Sequence, residues 1–125
     1  MKVIQGLYYT KEHEWLKVDG NKGTVGITDF AVNALGDIAY LELPEAGDRF
    51  AAEEVFGVVE SVKAASDLNI PVTGVVTAVN TAVVDDPALV NADAYESWLI
   101  EIEIEDAAEL SGLMDAAAYE ATEEA

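Results

Sequence analysis

The chain has no cysteine and a single histidine, His13, among its 125 residues. Without thiols there is no disulfide framework, no thiolate metal site and no cysteine nucleophile, and one imidazole cannot build a multi-histidine metal centre. Cations are nearly as scarce. Six Lys and Arg face 25 Asp and Glu, for a net charge of −19. The last cation is Lys63, so residues 1–63 carry −5 and residues 64–125 carry −14. Such a surface repels phosphate backbones and anionic lipid, which argues against nucleic-acid and membrane-surface roles. No stretch reaches the roughly 18 apolar residues needed to cross a bilayer, and the opening "MKVIQGLYYT" lacks the apolar core of a secretion signal. A soluble, cytoplasmic protein is the expectation.

What is present favours a folded, β-rich domain. At 51% hydrophobic residues the chain escapes the low-hydrophobicity class that stays disordered, and its length suits one domain spanning 1–125. "EWLKVDGNKGTVGI" predicts a hairpin around Asp19-Gly20-Asn21. "TDFAVNALGD" predicts a short helix, with Thr28 or Asp29 as its cap and Gly36 after its last turn. "DIAYLELP", "EEVFGVVESV", "ASDLNI" and "PVTGVVTAV" read as strands, and Pro87 suits the first turn of a helical piece, "DPALVNAD". In "SWLIEIEIE", Ile100, Ile102 and Ile104 alternate with Glu101, Glu103 and Glu105, which predicts a buried face and a solvated acidic face. Leu110, Leu113, Met114 and Ala117 recur at helical spacing, and Asp106 with Glu109 resembles a capping box. One C-terminal helix over about 106–121 is expected, with a frayed tail. The whole predicts a sandwich or barrel with helical additions.

Lys63 stands alone in "VVESVKAASDLNIPVTG", among small and apolar neighbours. If the runs on either side pair, it sits at a hairpin tip. Three readings are open there: a solvated turn lysine, a Schiff-base lysine, or a modification site whose small flanks let a second enzyme approach. A Schiff-base amine must be deprotonated by burial or a neighbouring cation, whereas Glu60 and Asp67 favour the charged form. His13, flanked by Glu12 and Glu14, reads as structural, Trp15 and Trp98 read as packing, and Glu14 taken alone reads as a solvated or capping acid.

The chain resembles the H-protein family, the lipoyl carriers of the glycine cleavage system. "ESVKAASD" is similar to the family's lipoylation segment, and "YTKEHEW", "VGITDFA", "LGDI", "LELPEAGD", "PVTGVV", "LVN" and "LMDAAAYE" follow in family order. Biotin carriers resemble the hairpin but typically flank the lysine with methionines, where this chain has Val62 and Ala64. The resemblance implies a mainly β, lipoyl/biotinyl-carrier-like hybrid sandwich or barrel, and lipoate in amide linkage to Lys63. It implies an arm cleft formed by Glu14, Ile27, Ala31 and Leu35, with Ala64 and Asp67 beside the lysine turn. It implies a non-catalytic carrier that shuttles the aminomethyl group of glycine, and then reducing equivalents, between separate enzymes. Those partners are a pyridoxal-phosphate glycine decarboxylase, a tetrahydrofolate-dependent aminomethyltransferase and dihydrolipoyl dehydrogenase, besides a lipoate ligase or lipoyltransferase. A related carrier serving lipoate transfer or another lipoate pathway is the alternative, and an enzyme using Lys63 as an amine nucleophile is a further one. The chain departs from the family pattern at Ala94, where relatives commonly carry proline, and at Glu101 and Glu103, where they carry lysines.

Overall fold

Gly20, at φ +64°, takes the first place of a two-residue turn between β2 (Glu14–Asp19) and β3 (Lys22–Ile27) in the computed structural model, which describes residues 2–124. Asp19 pairs with Lys22 and Glu14 with Ile27, so the expected hairpin forms over its full length. Trp15 lies opposite Gly26, and a Cβ there would collide with the indole. β3 then pairs with β9 (Ile100–Ile104), which pairs with β8 (Gly74–Val79). Short edges, β1 (Tyr8–Tyr9) on β2 and β5 (Arg49–Phe50) on β8, complete a six-stranded sheet. A second antiparallel sheet has the order β4 (Ile38–Glu42), β6 (Val55–Ser61), β7 (Ala65–Asn69).

The two sheets share one core. Ile100 and Ile102 are fully buried with Leu16 and Val25, and Leu41, Val59 and Leu68 of the second sheet join them. Each such aliphatic side chain contributes about 1.5–3 kcal/mol through burial. Among the described residues no ladder joins β1 or β5 to β4 or β7, so the sandwich alternative holds and the barrel does not. The acidic face is solvated as the alternation suggested, with Glu103 and Glu105 exposed and Glu101 half-buried. Glu101 lies 3.1 Å from the Lys22 ammonium, and Arg49 grips Glu105 through Nε at 2.7 Å and Nη2 at 3.0 Å.

Three helices lie between or beside the strands: α1 (Asp29–Leu35), α2 (Thr81–Asp85) and α3 (Ala88–Ala92), the last two packed on β4. α3 follows Pro87, whose fixed φ of −59° suits a helix start. The expected continuous helix over about 106–121 is corrected. A 3₁₀ helix covers Ala107–Gly112, and α4 begins afresh at Ala116–Glu124. Met114 between them is extended, exchanging two backbone hydrogen bonds with Tyr9 at 2.8 and 2.9 Å. Asp106 caps the 3₁₀ helix through Ala108 N–H, but Glu109 does not reach back to it as a capping box would. Its carboxylate instead accepts from the N–H and hydroxyl of Thr73, at 2.7 and 2.9 Å. α4 stays helical through Glu124 where a frayed tail was expected, and Ala125 lies outside the described residues.

Candidate functional site

Hairpin β6–β7 carries Lys63 at its tip. Its last pair is Glu60 with Ala65, which leaves Ser61–Ala64 to turn the chain. Ser61 organises that turn. Its hydroxyl oxygen accepts from the N–H groups of Lys63 and Ala64 at 3.3 and 3.1 Å, and its own N–H donates to Ala64 O at 2.7 Å. Val62 N–H donates to Asp37 O at 3.1 Å, tying the tip to the segment after α1. Both Val62 and Lys63 are exposed, and among the described residues the side-chain ion pairs, Lys22–Glu101 and Arg49–Glu105, do not involve Lys63. An exposed tip supplies neither the burial nor the neighbouring cation that a Schiff-base lysine needs.

A groove of about 150 Å³ lies under the hairpin, between α1 and the start of β2. Five of the residues that the resemblance assigned to a cleft line it together: Glu14, Ile27, Ala31, Leu35 and Asp67. Ala64 does not; it closes the lysine turn. α1 is held in place by the two local signals in its sequence. Thr28 Oγ1 accepts from Ala31 N–H at 3.3 Å, and Gly36, at φ +79°, donates its N–H to Val32 O at 2.9 Å. Ala34, Val59, Ser66 and Leu68 also line the groove and were not read from the sequence. The hairpin register would have found two of them, since Val59 and Ser66 are directly paired on its inner face.

Glu14 is the unusual member. It is 2% exposed, paired with Ile27 across the hairpin, and its carboxylate is held from both sides. The Thr10 hydroxyl donates to Oε1 at 2.6 Å, and Asn69 N–H donates to Oε2 at 3.3 Å. Burial pushes the carboxyl up to about 7, while those two donors act in the opposite direction and the nearby Glu12 adds a small upward push. Glu14 also borders a second, wider cavity of about 650 Å³, lined by Thr10, Glu12, Glu53, Asn69, Pro71 and Met114 among others. That cavity contains none of Ile27, Ala31 and Leu35. Neither Thr10 nor Asn69 was singled out in the sequence, although Thr10 belongs to the quoted "YTKEHEW".

His13 also lines the groove. Its Nδ1 lies 2.8 Å from the Tyr119 hydroxyl, which is also 2.8 Å from Thr28 Oγ1, and its ring packs 4.4 Å from that of Phe30. Trp15 is buried and donates from Nε1 to Ala94 O at 3.2 Å.

An exposed primary amine at a hydrogen-bonded tip, with a mostly apolar groove ending in a buried acid beneath it, is chemically suited to a long, mostly apolar arm carrying a polar end. The donor set fits a lipoyl group attached by amide linkage. Among the described residues no cluster of three His, Cys, Asp or Glu stands together.

Comparison with known proteins gives a consistent result. The family model described as glycine cleavage H-protein matches residues 7–125. The glycine cleavage system H protein of Thermoanaerobacter pseudethanolicus is 56% identical over 119 residues, covering 95% of this chain and 94% of that protein. Its namesake in Acidobacterium capsulatum is 56% identical over 113 residues, covering 90% and 88%. A crystal structure of a glycine cleavage system H protein from Mycobacterium marinum superposes with a TM-score of 0.87 at 36% identity, covering 98% of this chain and 100% of that one. The chain belongs to the glycine cleavage H-protein family, the non-catalytic lipoyl carriers of the glycine cleavage system.

Proposed function

We propose that lipoate is attached to Lys63, and that the groove ending at Glu14 shelters the loaded end of the arm between visits to partner enzymes. The observation that carries this is the placement of an exposed lysine at the tip of a hairpin whose inner face lines that groove. When bound, the lipoyl group supplies a strained cyclic disulfide that takes up a one-carbon amine from glycine together with two electrons. The protein's own residues then have three tasks. Ser61 holds the tip in one shape, so the amine is offered to a lipoate ligase or lipoyltransferase from a fixed turn. Ile27, Ala31 and Leu35 exclude water from the groove. Glu14 receives the positive end, and the approach of an ammonium draws the carboxyl back to its anionic form. The carboxyl releases its proton to water, and the Thr10 and Asn69 donors remain on the carboxylate oxygens.

The proposed partners are a pyridoxal-phosphate glycine decarboxylase, a tetrahydrofolate-dependent aminomethyltransferase and dihydrolipoyl dehydrogenase. A cytoplasmic setting is supported by the bacterial relatives. The test is to mix a glycine decarboxylase with glycine and follow carbon dioxide release. Release is expected to depend on added lipoylated protein and to fall to background with Lys63→Arg. Equal release with the arginine variant would overturn the assignment.

A further inference from the structure

"LVN", residues 89–91, is a motif whose asparagine has so far no task. In the structure Asn91 uses both ends of its amide on neighbouring peptide groups. Its Nδ2 donates to Gly36 O at 2.9 Å, and its Oδ1 accepts from Ile38 N–H at 2.9 Å. The amide therefore has one orientation, because Ile38 N–H can only donate and Gly36 O can only accept.

The clamped segment, Gly36-Asp37-Ile38, is what the lysine hairpin rests on. Asp37 O receives the Val62 N–H at 3.1 Å. Gly36 supplies a seat. A Cβ built on it would lie 3.2 Å from Lys63 Cε and 3.7 Å from Nζ, so the end of the lysine stem passes directly over the glycine. Gly36 also stands at φ +79°, which disfavours any side chain at that place. The preceding residue, Leu35, lines the groove. The lysine stem therefore lies across Gly36, at the C-terminal end of the groove-forming helix.

We infer that Asn91 is a positioning residue for Lys63: by gripping the peptide groups on both sides of Asp37 it fixes the Gly36 seat and the anchor for Val62, and so presents the lysine amine in one direction to the enzyme that modifies it. The inference rests on Lys63 being the lipoyl acceptor. Loss of the clamp leaves a hairpin tip that must be ordered at each encounter. This raises KM for the modifying enzyme while leaving kcat, which is set once the lysine is in place.

The experiment compares wild type, Asn91→Ala and Gly36→Ala as substrates for a lipoate ligase, with Val76→Ala as a core truncation that has no contact with the tip clamp. Backbone amide spectra of Val62 and Lys63 are recorded on the unmodified proteins. Asn91→Ala is expected to raise KM roughly 3- to 10-fold with kcat within about twofold, and to shift and broaden the Val62 and Lys63 amides. Gly36→Ala is expected to raise KM similarly and to move both the Lys63 Cε and the Asn91 side-chain amide resonances, because a side chain at φ +79° strains the peptide that Asn91 grips. Val76→Ala is expected to lose stability with the tip signals and KM unchanged. Site mapping of the wild-type product separates the two levels of the argument. Lipoyl on another lysine overturns the Lys63 assignment and the inference with it. Lipoyl on Lys63, with KM and tip amides unchanged in Asn91→Ala, overturns the inference alone and leaves Asn91 a fold-stabilising residue.

Discussion

A carboxylic acid poised at about 7 inside a protein wall costs stability when it ionises, and Glu14 gives that cost a definite pH signature. Its folded value lies above the ordinary 4.5, so between about 4.5 and 7 the native state holds more protons than the unfolded chain. Stability is therefore full below the lower value and is lost as pH rises through the upper one. The loss is up to about 3 kcal/mol. A glutamine in place of Glu14 would keep both contacts, its Oε1 accepting from Asn69 N–H and its Nε2 donating to Thr10 Oγ1. Glu14→Gln is expected to match wild type near pH 4.5 and to exceed it by about 2–3 kcal/mol at pH 8, measured by urea unfolding. A difference that is flat in pH would place the carboxyl in its ordinary range. The same substitution is expected to shorten, several-fold at pH 8, the lifetime of the glycine-derived mass on the loaded protein, followed by mass spectrometry without the transferase. The ratio of lifetimes should shrink only as pH falls well below 7, because the bound ammonium keeps the carboxyl ionised at 7. Equal lifetimes would show that Glu14 does not hold the amine. The sequence pointed to Glu14 only through its place in "EHEW". Its burial follows from Thr10 and Asn69 closing over it, and Asn69 comes from a strand 55 residues away, a contact that no local pattern announces.

Elements whose signals are local were legible, and those that answer to distant partners were not. α1 formed where Thr28 and Gly36 predicted it, because both caps lie within the helix's own sequence. The C-terminal helix broke where the apparent apolar stripe was serving two cores. Leu110 and Leu113 pack on the sandwich, whereas Met114 packs with Ala116 and Tyr119 on Tyr9 and Trp15. Strands β1 and β5, of two residues each, are too short to show a period, and α2 has no side-chain cap to announce it. The second half of the broken helix matters to the groove through Tyr119. Its ring stacks on Tyr9 at 4.7 Å, and its hydroxyl meets Thr28, the cap of α1. Tyr119→Phe keeps the stack and removes the hydroxyl. A loss of about 1–2 kcal/mol is expected, with faster amide hydrogen exchange in the first turn of α1. Unchanged exchange there would confine Tyr119 to the packing of α4.

Across the whole molecule, acidity is the dominant surface property, with −14 on residues 64–125 alone. Lys22 and Arg49 neutralise Glu101 and Glu105, which leaves Glu103 as the unpaired outward acid of β9 among the described ion pairs. Exposed pairs of this kind contribute about 0–1 kcal/mol, so the acids matter little to folding. Their range suits encounter instead. The association rate with a glycine decarboxylase is expected to fall several-fold between about 50 and 300 mM salt, and again on Glu101→Lys with Glu103→Lys. Rates indifferent to both changes would leave the acids as solubilising groups. The charge imbalance was plain in the sequence, whereas its pairing was not, because Lys22 meets Glu101 on the neighbouring strand β9 and Arg49, on β5, reaches Glu105 past β8. The hairpin tip, the groove and the buried acid form a carrier only if the arm is on Lys63. Co-expression with a lipoate ligase, followed by intact mass and peptide mapping, tests that most directly. One lipoyl group on Lys63, absent from Lys63→Arg, is the expected result; a lipoyl group on Lys17 or Lys22, or undiminished modification of the arginine variant, would contradict it.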